Sequence, residues 1–288
     1  MLLLSVCSVA TAPDVEQRAQ WPSTLPIAGR FDVNALAAAY PWPELQPLNK
    51  PLIFAYDGGG RELVHSVLAE YVATYGRVVM LEIGTFLGGS MRAWLRNPHI
   101  RGVTLDVQRR LDAGSSWLNY TRGKIRCNGP CDKEGMAALR EPGGVQKTIT
   151  SVLWPYRDRV FFSDEGAPLG LLRLHASGFV PDVIYVDTDK YFDELWIAHT
   201  LWPHAVLTGD DFNWAEKTSN GCERRGSDGV VRFASKFGYN LSSVKENWIM
   251  HNPHSRLQRR RSVGVEILSG SYSPASVAAQ TYNSKGKH

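Results

Sequence analysis

Three carboxylates, Asp187, Asp210 and Asp211, are the side chains of this chain best suited to holding a hard cation. Each follows a short apolar run, VIYV before Asp187 and AVLT with Gly209 before the Asp210–Asp211 pair. Asp187 and Asp210 lie 23 positions apart, enough for one crossover helix between neighbouring parallel strands. Such strands run about 4.8 Å apart, so carboxylates at their ends can share one ion. With no His or Cys beside them in sequence, these oxygen donors suit Mg²⁺ or another divalent cation. An ion would also relieve the repulsion that raises the pKa values of clustered acids. The plainer alternative is that Asp211 caps a loop and Asp187 closes a turn.

A second group surrounds residues 78–92, VVMLEIGTFLGGSMR. An apolar run ends in Glu82 and a Gly-rich turn, and a helix is expected to begin just after Ser90. Glycines let the backbone come close to a ligand, and a helix N-terminus offers unpaired N–H groups. The glycines fall at 84, 88 and 89, so G-x-G-x-x-G is absent, and so is the lysine of a P-loop. Dinucleotide and nucleotide-triphosphate readings are weakened accordingly. Asp106, at the end of the next expected strand, stands where a carboxylate can accept both ribose hydroxyls. Alone it would be a strand-end cap; with the preceding turn it supports an adenosine-containing cofactor.

These residues need a scaffold that delivers them to one place. After the opening stretch, apolar runs at 102–105, 160–162, 183–186 and 205–208 read as strands, each ending in acid or glycine. Helical periodicity follows Arg61, with Gly76 as its C-cap, and recurs at Leu195, Ala198, Leu201 and Trp202. Further helices are expected at 32–40, capped by Asp32, at 145–153 and at 229–237, and 241–250 is expected to be an edge strand. Alternation of strands and helices implies βαβ crossovers, a parallel sheet, and ligand binding at its carboxyl edge.

The remainder sets bounds. With 288 residues and 43% hydrophobic residues, the chain can bury a substantial core. A Pro/Trp-rich segment, 1–56, would wrap the core or form a lid, ahead of a catalytic domain at 57–250. An insertion at 108–157 would be a substrate lid or an oligomer arm, both of which stay open, and a homodimer is among the expected partners. The tail, 251–288, holds six Lys/Arg against one acid, so its charge of +5 leaves −1 for the rest of a chain of net +4. A near-neutral body argues against nucleic acid as the main substrate. Four cysteines are too few for a disulfide scaffold, and Cys127 and Cys131 read as free thiols. With no run of ~20 apolar residues, the expectation is a soluble, cytoplasmic protein without a membrane span.

A resemblance gathers these pieces. EIGTFLGGS resembles the first motif of class I S-adenosylmethionine-dependent methyltransferases, in the form used by the cation-dependent O-methyltransferases. TLDVQR resembles their second motif, and DEGAP the adenine-side turn after the third strand. VDTDKY is similar to the D-A-D-K of the catechol and caffeoyl-CoA types, and TGDDFNW to their D-N-x-x-W. A related group acting on sugars of natural products carries D-x-D followed by a D-D pair, nearer to Asp210–Asp211. The resemblance spans roughly 61–248, with the insertion unmatched.

It implies a Rossmann-like α/β class I methyltransferase fold, a mostly parallel seven-stranded sheet flanked by helices. It implies S-adenosylmethionine held by Glu82, Gly84, Thr85, Ser90, Asp106, Glu165, Ala167 and Asp187. Mg²⁺ or another divalent cation would lie on Asp187, Asp210 and Asp211. The base would be Lys190, by likeness to the catechol and caffeoyl-CoA types, or Asp189, by likeness to the sugar-modifying group. The implied reaction is methyl transfer to a hydroxyl of a small sugar, phenol, catechol or natural product. A metal-independent methyltransferase and a non-catalytic cofactor-binding scaffold remain as alternatives. An RNA methyltransferase rests on the basic tail alone.

Overall fold

The computed structural model describes residues 29–44, 46–48, 61–106, 137, 139, 141–188, 192–213, 215–217, 223–225 and 227–258. Its centre is a seven-stranded sheet of order β3-β2-β1-β4-β5-β9-β8. The strands are β1 (Val78–Ile83), β2 (Ile100–Leu105), β3 (Val160–Ser163), β4 (Val183–Val186), β5 (Val206–Gly209), β8 (Asn240–Val244) and β9 (Asn247–His251). A separate two-stranded ribbon joins β6 (Ala215–Lys217) to β7 (Glu223–Arg225). The five leading strands pair in parallel, and β9 is antiparallel to both β5 and β8. The mostly parallel seven-stranded sheet implied by the resemblance is therefore present.

Helices cover both faces because the strands are apolar on both. Along β1, Val79, Leu81 and Ile83 join one core cluster while Val78 and Met80 join the other. On the first face lie α1 (Val33–Ala39), α5 (Leu169–Ala176), α6 (Phe192–Leu201) and α7 (Ser227–Phe237), through Leu36, Leu171, Leu195 and Phe233. On the second lie α2 (Glu62–Tyr75), α3 (Gly89–Leu95) and α4 (Gly144–Leu153), through Leu68, Trp94 and Ile149. Burying both faces is what a parallel sheet requires.

Local chemistry sets several boundaries. Asp32 caps α1 by accepting from Asn34 N and Ala35 N, each at 3.0 Å, as the sequence suggests. Gly76 closes α2 in the left-handed region, also as expected. The expected single strand at 241–250 is instead a hairpin. Lys245, at φ +56, and Glu246 make the turn, β8 forms the edge, and β9 inserts beside β5. The polar trio Lys245-Glu246-Asn247 inside an apolar run is the turn signal that periodicity alone passes over. The helix after the Gly-rich turn begins at Gly89, one residue before Ser90.

Described residues of the N-terminal segment bond to the body at three points. Arg30 bridges to Val180, Trp42 Nε1 donates to Arg157 O at 3.2 Å, and Leu48 N donates to Ser151 Oγ at 2.8 Å. Described residues after 250 also bond to the body. Arg256 pairs with the buried Asp182 at 2.6 Å and stacks on Tyr75, while Asn252 donates to Pro203 O and Ala205 O. Residues 107–136, Arg259, Arg260 and Arg261 of the tail and all four cysteines lie outside the described residues. No helix among the described residues is long and apolar enough to cross a membrane.

His199 packs inside the helical layer. It contacts Phe233, Phe237 and Tyr239, whose hydroxyl is 3.3 Å from Nδ1. Burial, with a smaller push from His254, lowers its pKa to about 4. The unfolded chain then takes up the proton first, near pH 6.5, so stability is complete above that value and falls as pH drops toward 4. The share carried by His199 is up to roughly 3 kcal/mol. Thermal unfolding of wild type should show this fall, and His199→Leu should flatten it. An identical slope in the variant would contradict the assignment.

Candidate cofactor and cation site

The parallel ladders end in one row. Ile83 is in register with Leu105 and Val186, Leu105 with Ser163, and Val186 with Gly209. The next residue of each strand is therefore Gly84, Asp106, Asp164, Asp187 or Asp210, side by side at the carboxyl edge. Backbone bonds carry the row one step further: Gly84 N donates to Leu105 O at 2.9 Å and Asp187 N to Ile83 O at 2.8 Å. Asp106 N donates to Ser163 O at 3.1 Å, and Asp210 N to Val186 O at 3.3 Å. Register alone brings Gly84, Asp106, Asp187 and Asp210 together.

Beneath the row sits Glu82, with no exposed surface. Its Oε1 accepts from Ser90 Oγ in α3, and its Oε2 accepts from Thr104 Oγ1 in β2 at 2.6 Å. Thr104 in turn meets Thr85 Oγ1. Burial pushes the Glu82 carboxyl up to about 8, against the pull of Ser90, Thr104 and Arg61. Glu82, Thr85 and Ser90 were expected to contact cofactor; here their side-chain oxygens bond one another or Thr104 and form the floor of the loop. They fix the segment between β1 and α3, each hydrogen bond contributing about 0.5–1.5 kcal/mol.

The loop above is shaped by close approach. Gly84 has φ +98, and a Cβ there would stand 2.2 Å from Asp187 O, so only glycine fits. Phe86, at φ +48, donates its N–H to Asp106 Oδ2 at 2.7 Å. Asp106 thus ties the end of β2 to the loop after β1, the two segments a nucleoside would span. Glu165, after β3, is paired with Arg173 at 2.7 Å, and Ala167 packs partly buried against the core.

At the other half of the row the acids meet a cation of the chain's own. Arg61, just before α2, is nearly buried, with its guanidinium 5.8 Å above both the Trp94 and Tyr185 rings. Its Nη2 lies 4.0 Å from Asp187 Oδ2 and 3.8 Å from Asp210 Oδ2. Burial works to lower the Arg61 pKa, yet Tyr185, Asp187, Asp210 and Glu82 outweigh it and the net direction is up. Sequence reasoning took Arg61 only as the start of a helix. A lone arginine beside a Gly-rich stretch carried no signal that it would turn into the core.

Asp210 is buried, and its Oδ1 accepts from Asn247 Nδ2 at 2.6 Å. Asp211, at φ +53, and Glu246 of the hairpin turn bring their carboxylates beside it, all three within 4.8 Å of one another. Asp187 is not of that group. Glu246 and Asn247 were not anticipated, because both depend on the turn that the sequence reading missed. A donor set of carboxylate and amide oxygens fits a hard divalent cation. Asp189, Lys190 and Trp214 lie outside the described residues. Trp248 is core, its Nε1 donating to Asp210 O at 3.3 Å.

No family model matches this sequence, and no curated protein matches it. Among solved structures, the chain is similar to an O-methyltransferase from Bacillus cereus in complex with SAH, at 18% identity, 76% of this chain, 87% of that one and a TM-score of 0.40. It is similar to a precorrin-6y C5,15-methyltransferase from Geobacter metallireducens, at 14% identity, 73% and 89% coverage and a TM-score of 0.38. An O-methyltransferase family protein from Burkholderia thailandensis matches at 14% identity, 66% and 55% coverage and a TM-score of 0.38. At such identities and TM-scores, none of these bears on the activity of this chain.

The contact between Gly84 and Asp187 O yields a direct test. Gly84→Ala should force the two strand ends apart and cost roughly 2–4 kcal/mol. In urea, the unfolding midpoint should fall with an unchanged slope. A midpoint at the wild-type value would mean that the loop does not rest on this contact.

Proposed function

We propose that this chain is an S-adenosylmethionine-dependent O-methyltransferase, aided by a divalent cation and acting on a small hydroxylated molecule. Sugars, phenols, catechols and natural products all belong to that acceptor class. The observation that carries the reading is the single row in which a glycine loop and Asp106 stand beside two acids on the adjacent strand ends. One half of the row suits an adenosine-containing cofactor, and the other suits a cation.

In this reading Gly84 lets the loop close against β4, and Glu82, Ser90 and Thr104 hold it from below. Asp106 accepts from the ribose hydroxyls. Asp210 and Asp211 hold the cation, with Asp187 as the third carboxylate expected from sequence. When bound, S-adenosylmethionine supplies an electrophilic methyl group, and a divalent cation lowers the pKa of a hydroxyl placed on it. The chain's own task is then to align hydroxyl and methyl, which accounts for a large part of the rate gain. Lys190 or Asp189 would take the proton.

One observation favours a second reading, a methyltransferase that works without metal. Arg61 already places positive charge between Asp187 and Asp210, and a guanidinium does not lose its proton in this range. Calorimetry separates the two. S-adenosylmethionine should bind wild type, and Asp106→Ala should bind it at least tenfold more weakly, a loss of about 1.4 kcal/mol. Mg²⁺ should change the binding heat of wild type and leave that of Asp210→Ala unaltered. Undiminished affinity in Asp106→Ala would overturn the cofactor seat. No Mg²⁺ response in wild type would favour the metal-free reading.

A further inference from the structure

The chain is almost neutral up to residue 250, yet its charges are sorted by edge. Beyond the ends of the parallel strands stand Asp106, Asp164, Asp187 and Asp210. Before their starts the charge reverses. Arg77 precedes β1, Arg101 is the second residue of β2, and Arg157 and Arg159 lead into β3. Arg30 bridges to Val180 ahead of β4, and Arg256 pairs with Asp182 beside it. Against these six arginines the same segments hold Asp32, Asp158 and Asp182, so the amino edge keeps a net charge of +3.

Few of those guanidiniums are answered by a carboxylate. Asp182 is buried, accepts from Val79 N at 3.0 Å and meets Arg256, while Asp32 is occupied in capping α1. Among the described residues, Arg30, Arg77, Arg101 and Arg157 form no ion pair with an acid. The strands β3, β2, β1 and β4 are neighbours, so the row spans three strand spacings, about 14 Å. A row of this kind suits a partner that carries negative charge at intervals.

A second observation narrows the partner. Four of the six guanidiniums lie over half-buried aromatic rings. Arg101 is 5.9 Å from the centre of Phe31, and Arg157 is 4.8 Å from that of Trp154. Arg159 is 5.5 Å from Tyr156, and Arg256 is 4.3 Å from Tyr75. Such pairs restrain side chains that are otherwise flexible. Arg159 is fixed further by donating to the carbonyls of Leu95, Asn97 and Ile100, each at 3.0 Å. Guanidiniums give forked donors for phosphate, and both they and the rings give planes on which bases stack. A lipid surface would need the charge alone. The same edge carries a hollow of about 440 Å³ lined by Arg30, Phe31 and Arg77, within the size range of small-ligand pockets.

We propose that the amino edge is a binding surface for single-stranded nucleic acid. Arg30, Arg77 and Arg157 meet its phosphates, and its bases stack on the arginine–aromatic pairs. The six residues of β1 set this edge about 20 Å from Asp106 and Asp187, so the bound strand is a tether and not the methyl acceptor. The sequence runs on from Arg256 into Arg259, Arg260 and Arg261, three more cations of the same kind. The near-neutral total conceals the surface, because acids at one edge offset arginines at the other.

Fluorescence anisotropy of a short labelled single-stranded RNA, titrated with full-length protein over a range of salt, tests this. Arg77 and Arg157 are exposed, so Arg77→Gln/Arg157→Gln should fold as wild type does, and circular dichroism checks it. The expected result is saturable binding by wild type and at least tenfold weaker binding by that variant. Its slope of log affinity against log salt should be shallower by about 1.4, for two lost contacts on a single strand. Arg232→Gln/Lys236→Gln removes the same charge from α7 and should stay within threefold of wild type. Equal loss in that control, or wild-type affinity in the edge variant, overturns the surface. A sulfated polysaccharide or anionic lipid vesicles bound as tightly as RNA overturn the nucleic-acid assignment. No saturable binding by wild type overturns the proposal outright.

Discussion

A carboxyl group without exposed surface holds the functional edge of this protein together. Glu82 is the penultimate residue of β1, and its two oxygens reach the helix that follows and the strand alongside. Removing such a group from water is costly unless it is bonded or neutralised. Burial pushes it up to about 8, while two hydroxyls and the nearby guanidinium of Arg61 work in the opposite direction. The arrangement is therefore one in which β1, α3, β2 and the start of α2 must all be in place at once. The loop between β1 and α3 inherits its shape from that requirement.

The same edge carries a second constraint, the closeness of its strand ends. Gly84 rests on the backbone of Asp187, and Gly209 lies against Val186 O and the Trp248 ring, where a Cβ would stand 2.3 and 2.6 Å from them. Small residues at these points let three strand ends converge, so that the acids beyond them share one neighbourhood. Convergence of like charges is unfavourable by itself. Arg61 offsets it between Asp187 and Asp210, 4.0 and 3.8 Å from their carboxylates. Charge, not shape alone, divides the row into two halves.

Much of this was legible in the sequence, for identifiable reasons. Apolar runs ending in acid or glycine give parallel strands whose ends coincide, and the register bears this out from Ile83 to Gly209. Asp32 and Gly76 announce their caps through chemistry that acts within a few residues. What stayed hidden depends on long-range placement. Nothing local says that Arg61 turns inward to lie between acids 126 and 149 positions away. Glu82, Thr85 and Ser90 read as ligand-facing because their motif says so, whereas their bonds run to each other and to Thr104. The hairpin at Lys245–Glu246 was passed over because the polar trio 245–247 was read through as part of one edge strand, and with it went Glu246 and Asn247.

The central claim is that one edge of the sheet seats both an adenosine-containing cofactor and a cation. Anomalous diffraction from a crystal grown with S-adenosylhomocysteine and Mn²⁺ addresses it most directly. The account predicts nucleoside density along the Gly84–Gly88 loop with its ribose at Asp106, and one Mn²⁺ peak at Asp210. Nucleoside density elsewhere on the molecule, or a Mn²⁺ peak remote from Asp210, would contradict it.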